Sequence, residues 1–213
     1  MAYEFTAASS QYLNTGSTPV TGTPLTIAGW FFPTTDANGT ICSVGATSGT
    51  NRYQLYYDPT FNASAKLAAN SLDNSGQSES NIASVVTLNA WQHGAGVYTS
   101  STERLAYHNG VAGTVNTASR TPSGLNTITI GGRWNTTIGG LVTGRIAEVG
   151  IWNAALTAAE IASLAKGMTC DKVRPQSLVF YAPLVRDLID QKGGRAITNN
   201  NGATVANHPR VYA

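Results

Sequence analysis

The chain has 213 residues with 11% charged and 42% apolar side chains, 8% aromatic, and a formal net charge of +2. That length favours one domain, and the apolar content excludes a disordered chain, which combines low hydrophobicity with high charge. So small a net charge, with no basic stripe, excludes a nucleic-acid surface, and no apolar run approaches the roughly 20 residues a membrane helix requires.

The first residues, Met1-Ala2-Tyr3-Glu4-Phe5-Thr6, have neither the basic nor the apolar region of a cleaved leader. Residues 24–33 read as a strand between two prolines, with Leu25, Ile27, Gly29 and Phe31 on one face and Ala28, Trp30 and Phe32 on the other. Asp36-Ala37-Asn38-Gly39 is a turn, because Asn-Gly tolerates positive φ. Further strands are expected at 40–44, 52–57, 66–69, 84–87, 91–98 and 104–108, then at 127–131 and 144–152. Turn residues roughly every 8–12 positions point to an all-β, two-sheet antiparallel sandwich of the jelly-roll type.

One helix is expected near 157–166. Thr157-Ala158-Ala159-Glu160 is a capping box, Leu156 and Ile161 can staple across it, Leu164 continues the apolar stripe, and Gly167 stops it. A helix this short is unstable alone and must dock on the sandwich. Past it, residues 177–184 form another strand, and residues 187–213 are too poor in apolar side chains to make a core. That tail is either an ordered arm on the domain or a docking segment. The organisation expected is a jelly roll over 1–168 and, over 169–213, a returning strand plus a Gly/Asn-rich arm.

Cys42 and Cys170 are too few and too far apart for a disulfide framework and read as packed thiols, although pairing stays open. Sequons at Asn38, Asn62 and Asn135 read as chance in a chain rich in Asn, Ser and Thr.

Four stretches carry a family resemblance. Residues 25–33 (LTIAGWFFP), 91–98 (WQHGAGVY, with glycines at two positions the family fills with valine), 105–111 (LAYHNGV) and 144–161 (GRIAEVGIWNAALTAAEI) follow in the family's order, with Thr129-Ile130-Gly131-Gly132 just before the last. Together they resemble the laminin-G-like, concanavalin A-like jelly roll in its bacterial and phage form. The resemblance implies a lectin-like sandwich, in which Trp30, Trp91 and Trp152 anchor the core.

That superfamily also includes glycoside hydrolases, which require two carboxylates about 5–9 Å apart. Strand 145–152 carries only Glu148, and the close acids Asp187 and Asp190 read as a solvated turn, so no enzyme is expected. Of the three histidines, His93 reads as a satisfied inner-face residue, while His108 and His208 precede a turn and a proline; none sits in a nucleophile motif. Calcium is the cofactor the resemblance implies, and the oxygen donors available are Asp36 with Asn38, Asp58, and Asp73 with Asn74. Each is an isolated acid in a turn, so no cofactor is required and calcium remains an option.

Sugar binding needs an aromatic ring beside polar groups. Arg133-Trp134-Asn135 offers that, as does the run from Tyr53 to Asp58, with Tyr57 as its ring; the plainer reading of those tyrosines is a strand with one row in the core. Two functions follow as expectations. One is a structural virion protein of a bacteriophage (head decoration, fibre or tail-associated), assembled with itself or other virion subunits, with host-surface glycans as ligands. The other is a secreted or cell-surface carbohydrate-binding module.

Overall fold

The computed structural model describes residues 1–60 and 65–212; the sequon at Asn62 lies outside them. In chain order the strands are β1 (Ala2–Phe5), β2 (Tyr12–Asn14), β3 (Leu25–Pro33), β4 (Gly39–Gly45), β5 (Arg52–Asp58), β6 (Lys66–Asp73), β7 (Gly76–Val85), β8 (Gln92–Ser100) and β9 (Glu103–His108). There follow β10 (Val111–Ala112), β11 (Thr127–Ile130), β12 (Arg133–Asn135), β13 (Thr137–Gly139), β14 (Gly144–Trp152), helix α1 (Ala158–Ala165), β15 (Leu178–Ala182), β16 (Thr198–Asn200) and β17 (Thr204–Ala206).

Two antiparallel sheets face each other, as expected of a concanavalin A-like sandwich. An eight-stranded sheet runs β10-β9-β8-β3-β14-β1-β17, with β15 also paired to β14; a seven-stranded sheet runs β16-β2-β11-β4-β5-β6-β7. Strands β12 and β13 form a separate hairpin. The tail joins both sheets as edge strands, β17 on β1 and β16 on β2, so it lies on the domain as an ordered arm. Strand β14 shares one edge between two partners: its first residues pair with β1 and its last with β15. Glu148, at φ 53°, sits at the junction, where the register with β3 also shifts.

Period-two alternation fills the core between the sheets. Leu25, Ile27 and Phe31 of β3 meet Leu55 and Tyr57 of β5 and Leu67 of β6, all essentially inaccessible. The two glycines of β8 that replace family valines have a packing reason. A Cβ on Gly94 would come within 3.1 Å of Leu67, and one on Gly96 within 3.0 Å of Ala69 and 3.1 Å of the Tyr98 hydroxyl. Leu67 and Ala69 of the opposite sheet, and the Tyr98 ring of β8 itself, take the space that the valines would occupy. Restoring valine at Gly96 is therefore expected to overpack this layer and cost about 1–3 kcal/mol, read as a lower urea midpoint at unchanged m-value.

A second apolar layer covers the outer face of the eight-stranded sheet, where α1 packs on β8. Ala28, Ala95 and Trp152 of the sheet meet Leu156, Ile161 and Leu164 there. The capping box forms as expected: the Glu160 amide donates to Thr157 Oγ1 and the Thr157 amide to the Glu160 carboxylate at 2.7 Å. Arg174 then holds the same carboxylate through two nitrogens, at 2.8 and 2.7 Å. Trp152 is fully buried and donates its indole N–H to the Val173 carbonyl at 2.8 Å.

Several expectations need correction. None of the three expected tryptophans anchors the core between the sheets: Trp152 is buried but in the outer layer under α1, and Trp30 and Trp91 are half-buried on the outer face, Trp30 edge-on to His93 and Trp91 edge-on to Phe32. His93 is buried, but in that outer layer, and its Nδ1 has no hydrogen-bond partner among the described residues, so it is not satisfied. Asp190 is not in a solvated turn: it is wholly buried, accepts the backbone N–H groups of Tyr181 and Lys192 at 2.9 and 3.0 Å, and pairs with Arg195 at 2.8 Å. The strand expected at 84–87 lies earlier, over Gly76–Val85, a run too polar to be found by apolar alternation. Cys42 and Cys170 are free and buried, in the inter-sheet core and the outer layer respectively, and burial raises both thiols well above the ordinary thiol range.

Candidate functional site

Strand β5 alternates along its whole length. Tyr53, Leu55 and Tyr57 point into the core, which leaves Arg52, Gln54, Tyr56 and Asp58 on the outer face of the seven-stranded sheet. Beside them stand Asn70 on β6 and Gln77 on β7, and Arg133 of the β12–β13 hairpin reaches over from the other side. These residues and Asn38 line a polar cleft of about 90 Å³. Its floor is polar yet almost inaccessible: Arg52, Gln54 and Asn70 are 5%, 2% and 2% exposed.

Most buried polar groups in folded proteins are hydrogen-bonded, and the floor is largely cross-linked. Arg52 Nε donates to Gln54 Oε1 at 2.8 Å and Arg52 Nη1 to the Thr50 carbonyl at 3.0 Å, while Gln54 Nε2 donates to Thr40 Oγ1 at 2.8 Å. The Tyr56 hydroxyl donates to Glu79, and Asn38 Nδ2 donates to Asp58 Oδ2 at 2.5 Å. Asp58 Oδ1 takes the Thr60 amide and hydroxyl, at 2.8 and 2.7 Å. Burial, helped by the nearby Arg133 charge, pulls Arg52 down to about 10, which leaves it protonated at neutral pH. Burial lowers Arg133 as well. Burial raises the Tyr56 phenol far above its usual range, and its bond to Glu79 adds to that, so it acts as a neutral donor.

The expected site residues divide. Arg133 is in the cleft. Trp134 sits edge-on to Tyr12 with ring centroids 6.2 Å apart, and its indole N–H is buried without a hydrogen-bond partner among the described residues. Asn135 is exposed at the end of the hairpin. Tyr57 is corrected: it is 1% exposed, stacked on Phe31 at 5.7 Å in the core, and its ring is closed to any ligand. Tyr56, one residue earlier and on the outer face, takes its place. The signal that marks Arg52, Gln54 and Tyr56 was present in the sequence, as a polar side chain at every second position opposite an apolar row.

The calcium candidates also divide. Asn38 joins Asp58 at the cleft, and Asp36 is exposed in its turn. Asp73 and Asn74 line a second hollow of about 250 Å³ with Asn51, but the Asp73 oxygens are already engaged. One accepts the Ser75 amide and the other the Thr121 amide, both at 2.8 Å. The Thr121 bond is the main reason its carboxyl lies below the usual range. Among the described residues no three His, Cys, Asp or Glu side chains converge as a metal site.

One serine–histidine contact bears on catalysis. Ser84 Oγ lies 2.8 Å from His108 Nδ1, and His108 Nε2 lies 2.9 Å from Gln92 Oε1. The Gln92 amide nitrogen donates to the Thr87 and Ala90 carbonyls, so its oxygen is the acceptor and His108 carries its proton on Nε2. A neutral amide stands where a catalytic triad has a carboxylate and gives no charge to stabilise an imidazolium. The arrangement is a hydrogen-bonded structural pair.

A family model for the concanavalin A-like lectin/glucanases superfamily, of the laminin G type, matches residues 7–162. Among solved structures the fold is similar to a native heptameric SAP-like pentraxin from Limulus polyphemus (TM-score 0.67, 16% identity, covering 94% of this chain and 88% of the pentraxin). It is similar to a Bacteroides ovatus protein taken to bind carbohydrate (TM-score 0.65, 18% identity, covering 95% of this chain and 58% of that one). It also resembles the CBM40 of Ruminococcus gnavus IT-sialidase bound to α2,3 sialyllactose (TM-score 0.57, 14% identity, covering 68% and 83%). A search of curated proteins finds no match.

Proposed function

The chain belongs to the concanavalin A-like lectin/glucanases superfamily, and from that premise we propose that it is a non-enzymatic glycan-binding module, carried by a bacteriophage virion as a decoration, fibre or tail-associated protein. The observation that supports binding is the cleft on the outer face of the seven-stranded sheet, whose floor holds buried, cross-linked hydrogen-bonding groups. A preorganised polar array is what recognition of sugar hydroxyls requires. The neighbours of known ligand, such as the sialyllactose-bound module, support the same reading.

The virion setting rests on other features. The surface is weakly charged and rich in Asn, Ser and Thr, as suits an outward-facing scaffold. The ordered tail adds an edge strand to each sheet, and an unpaired strand edge is a ready docking surface for a second copy or another virion subunit. A secreted or cell-surface lectin-like module, using calcium, is the alternative that the fold equally accommodates.

A glycan array run with calcium and again with EDTA tests the binding. Specific signal that survives EDTA is expected, and a chelator-sensitive signal moves the reading to the calcium-dependent alternative. A blank array on folded protein refutes glycan binding and leaves a scaffold. The virion role is tested by probing purified phage particles for the chain, and its absence from them removes that part of the proposal.

A further inference from the structure

Resting on the glycan-binding reading, we propose that the cleft between Arg52 and Arg133 receives the carboxylate of an acidic sugar, a uronate or a sialate. Two guanidinium groups line a space of about 90 Å³, close enough that the charge of one disfavours the charge of the other. Among the described residues neither guanidinium makes an ion pair within 4.0 Å, and that of Arg133 has no hydrogen-bond partner, its backbone alone pairing with Gly139. Arg52 spends Nε and Nη1 on Gln54 and Thr50 and leaves Nη2 without a partner among the described residues.

The acids nearby do not quench this charge by direct contact. Asp58 gives its two oxygens to Thr60 and Asn38, and Glu79 accepts from Tyr56. All of these donors are neutral, so the carboxylates are engaged while neither guanidinium is paired with an acid among the described residues. Placing two partly desolvated cations side by side is costly, and a bidentate carboxylate relieves that cost through charge-assisted bonds about twice as strong as neutral ones. Asn38 Oδ1 and Asn70 Oδ1, both in the cleft walls, have no donor among the described residues. A small rotation of either amide offers it to a hydroxyl beside the carboxylate.

Size narrows the ligand further. At about 90 Å³ the cleft is much smaller than the 250 Å³ hollow beside Asp73, and so suits a carboxylate better than a whole pyranose. The remainder of the sugar then lies outside the cleft, toward solvent.

The test is calorimetric titration of the full chain with trigalacturonate and with sialyllactose, each beside its methyl ester, and with neutral galactotriose and lactose. Binding by one of the two acids, weakened at least tenfold in its ester, is expected, and which acid binds identifies the source of the carboxylate. Arg133→Gln, at a half-exposed position, is expected to keep the melting temperature and abolish the acid-over-ester preference, and Arg133→Lys to recover part of it. Equal affinity for acid and ester, or a preference that persists in Arg133→Gln, overturns the carboxylate assignment while glycan binding stands. A silent titration with every sugar, acidic and neutral, overturns the glycan reading itself and the assignment with it.

Discussion

Replacing Arg104 with methionine is expected to cost the fold on the order of 4 kcal/mol and to detach the long connection that follows β10. Arg104 is 1% exposed, and its guanidinium is held by four groups: Ser71 Oγ at 3.2 Å, Asn116 Oδ1 at 2.5 Å, and the carbonyls of Ser101 and Ala118 at 2.8 and 2.6 Å. Its backbone pairs with that of Asn116 in both directions. Burial pulls its pKa down, yet a guanidinium stays charged under any folding condition. Methionine fills much of the same volume but leaves those acceptors without a donor, at roughly 1 kcal/mol for each lost bond. Against a typical stability of about 5–15 kcal/mol, that is a large fraction.

Lysine at the same position sharpens the test. It keeps the charge but offers three donors from one point and cannot span acceptors on opposite sides of a planar fork. Arg104→Lys is therefore expected to be no better than Arg104→Met. Urea denaturation measures both, and hydrogen exchange over residues 113–126 locates the damage. A methionine variant within 1 kcal/mol of wild type, with that segment still protected, contradicts this account of the loop.

The elements most legible in the sequence were those whose signals are local. Strand β14 appears at its expected ends, Gly144 and Trp152, and the capping box forms at Thr157 and Glu160, because alternation and cap chemistry act over a few neighbouring residues. The short strands β1 and β2 passed unrecognised, because three or four residues hold too little pattern and derive their structure from β14 and β11. The misplacement of Trp30 and Trp91 has a different origin. Both faces of the eight-stranded sheet are partly covered, so apolar side chains on both faces of β3 gave no indication of which one was the core. Asp190 reads as solvated because its partners Tyr181 and Arg195, though only nine and five residues away, enclose it through a tight turn packed back on β15, and no apolar pattern in that polar run marks the burial.

The candidate site was half legible for the same reason. Arg133 stood out as a charged residue beside a tryptophan in a polar loop, but its meeting with Arg52 depends on how the β12–β13 hairpin folds over β5, and no periodicity encodes that. Tyr57 was preferred over Tyr56 although the alternation of β5 alone distinguishes them once Leu55 is fixed as an inward residue.

Acidification from pH 6.5 to 4.5 is expected to remove roughly 2–3 kcal/mol of stability through His93. In the unfolded chain His93 titrates near its ordinary 6.5, whereas in the fold burial, with a smaller contribution from His108, pulls it down to about 3. Between those values the unfolded chain binds a proton that the folded one refuses, so stability falls with pH at up to about 1.4 kcal/mol per unit. His108, also lowered by burial, adds loss of the same sign. The carboxyls of Asp73, Glu160 and Asp171 lie below their ordinary values, and the stability they contribute is lost only at lower pH, as acid reaches those depressed values. The upper window therefore belongs to the histidines. Phenylalanine at position 93 preserves the edge-on contact that His93 makes with Trp30 at 5.5 Å and removes the titrating ring together with its unpartnered Nδ1. Urea midpoints at pH 6.5 and 4.5 should then differ far less in His93→Phe than in wild type. Parallel losses in the two proteins would assign the acid sensitivity elsewhere. Because Arg52 stays protonated throughout this window, ligand affinity is expected to hold until unfolding begins, and an earlier decline would reveal a group at the cleft that takes up a proton.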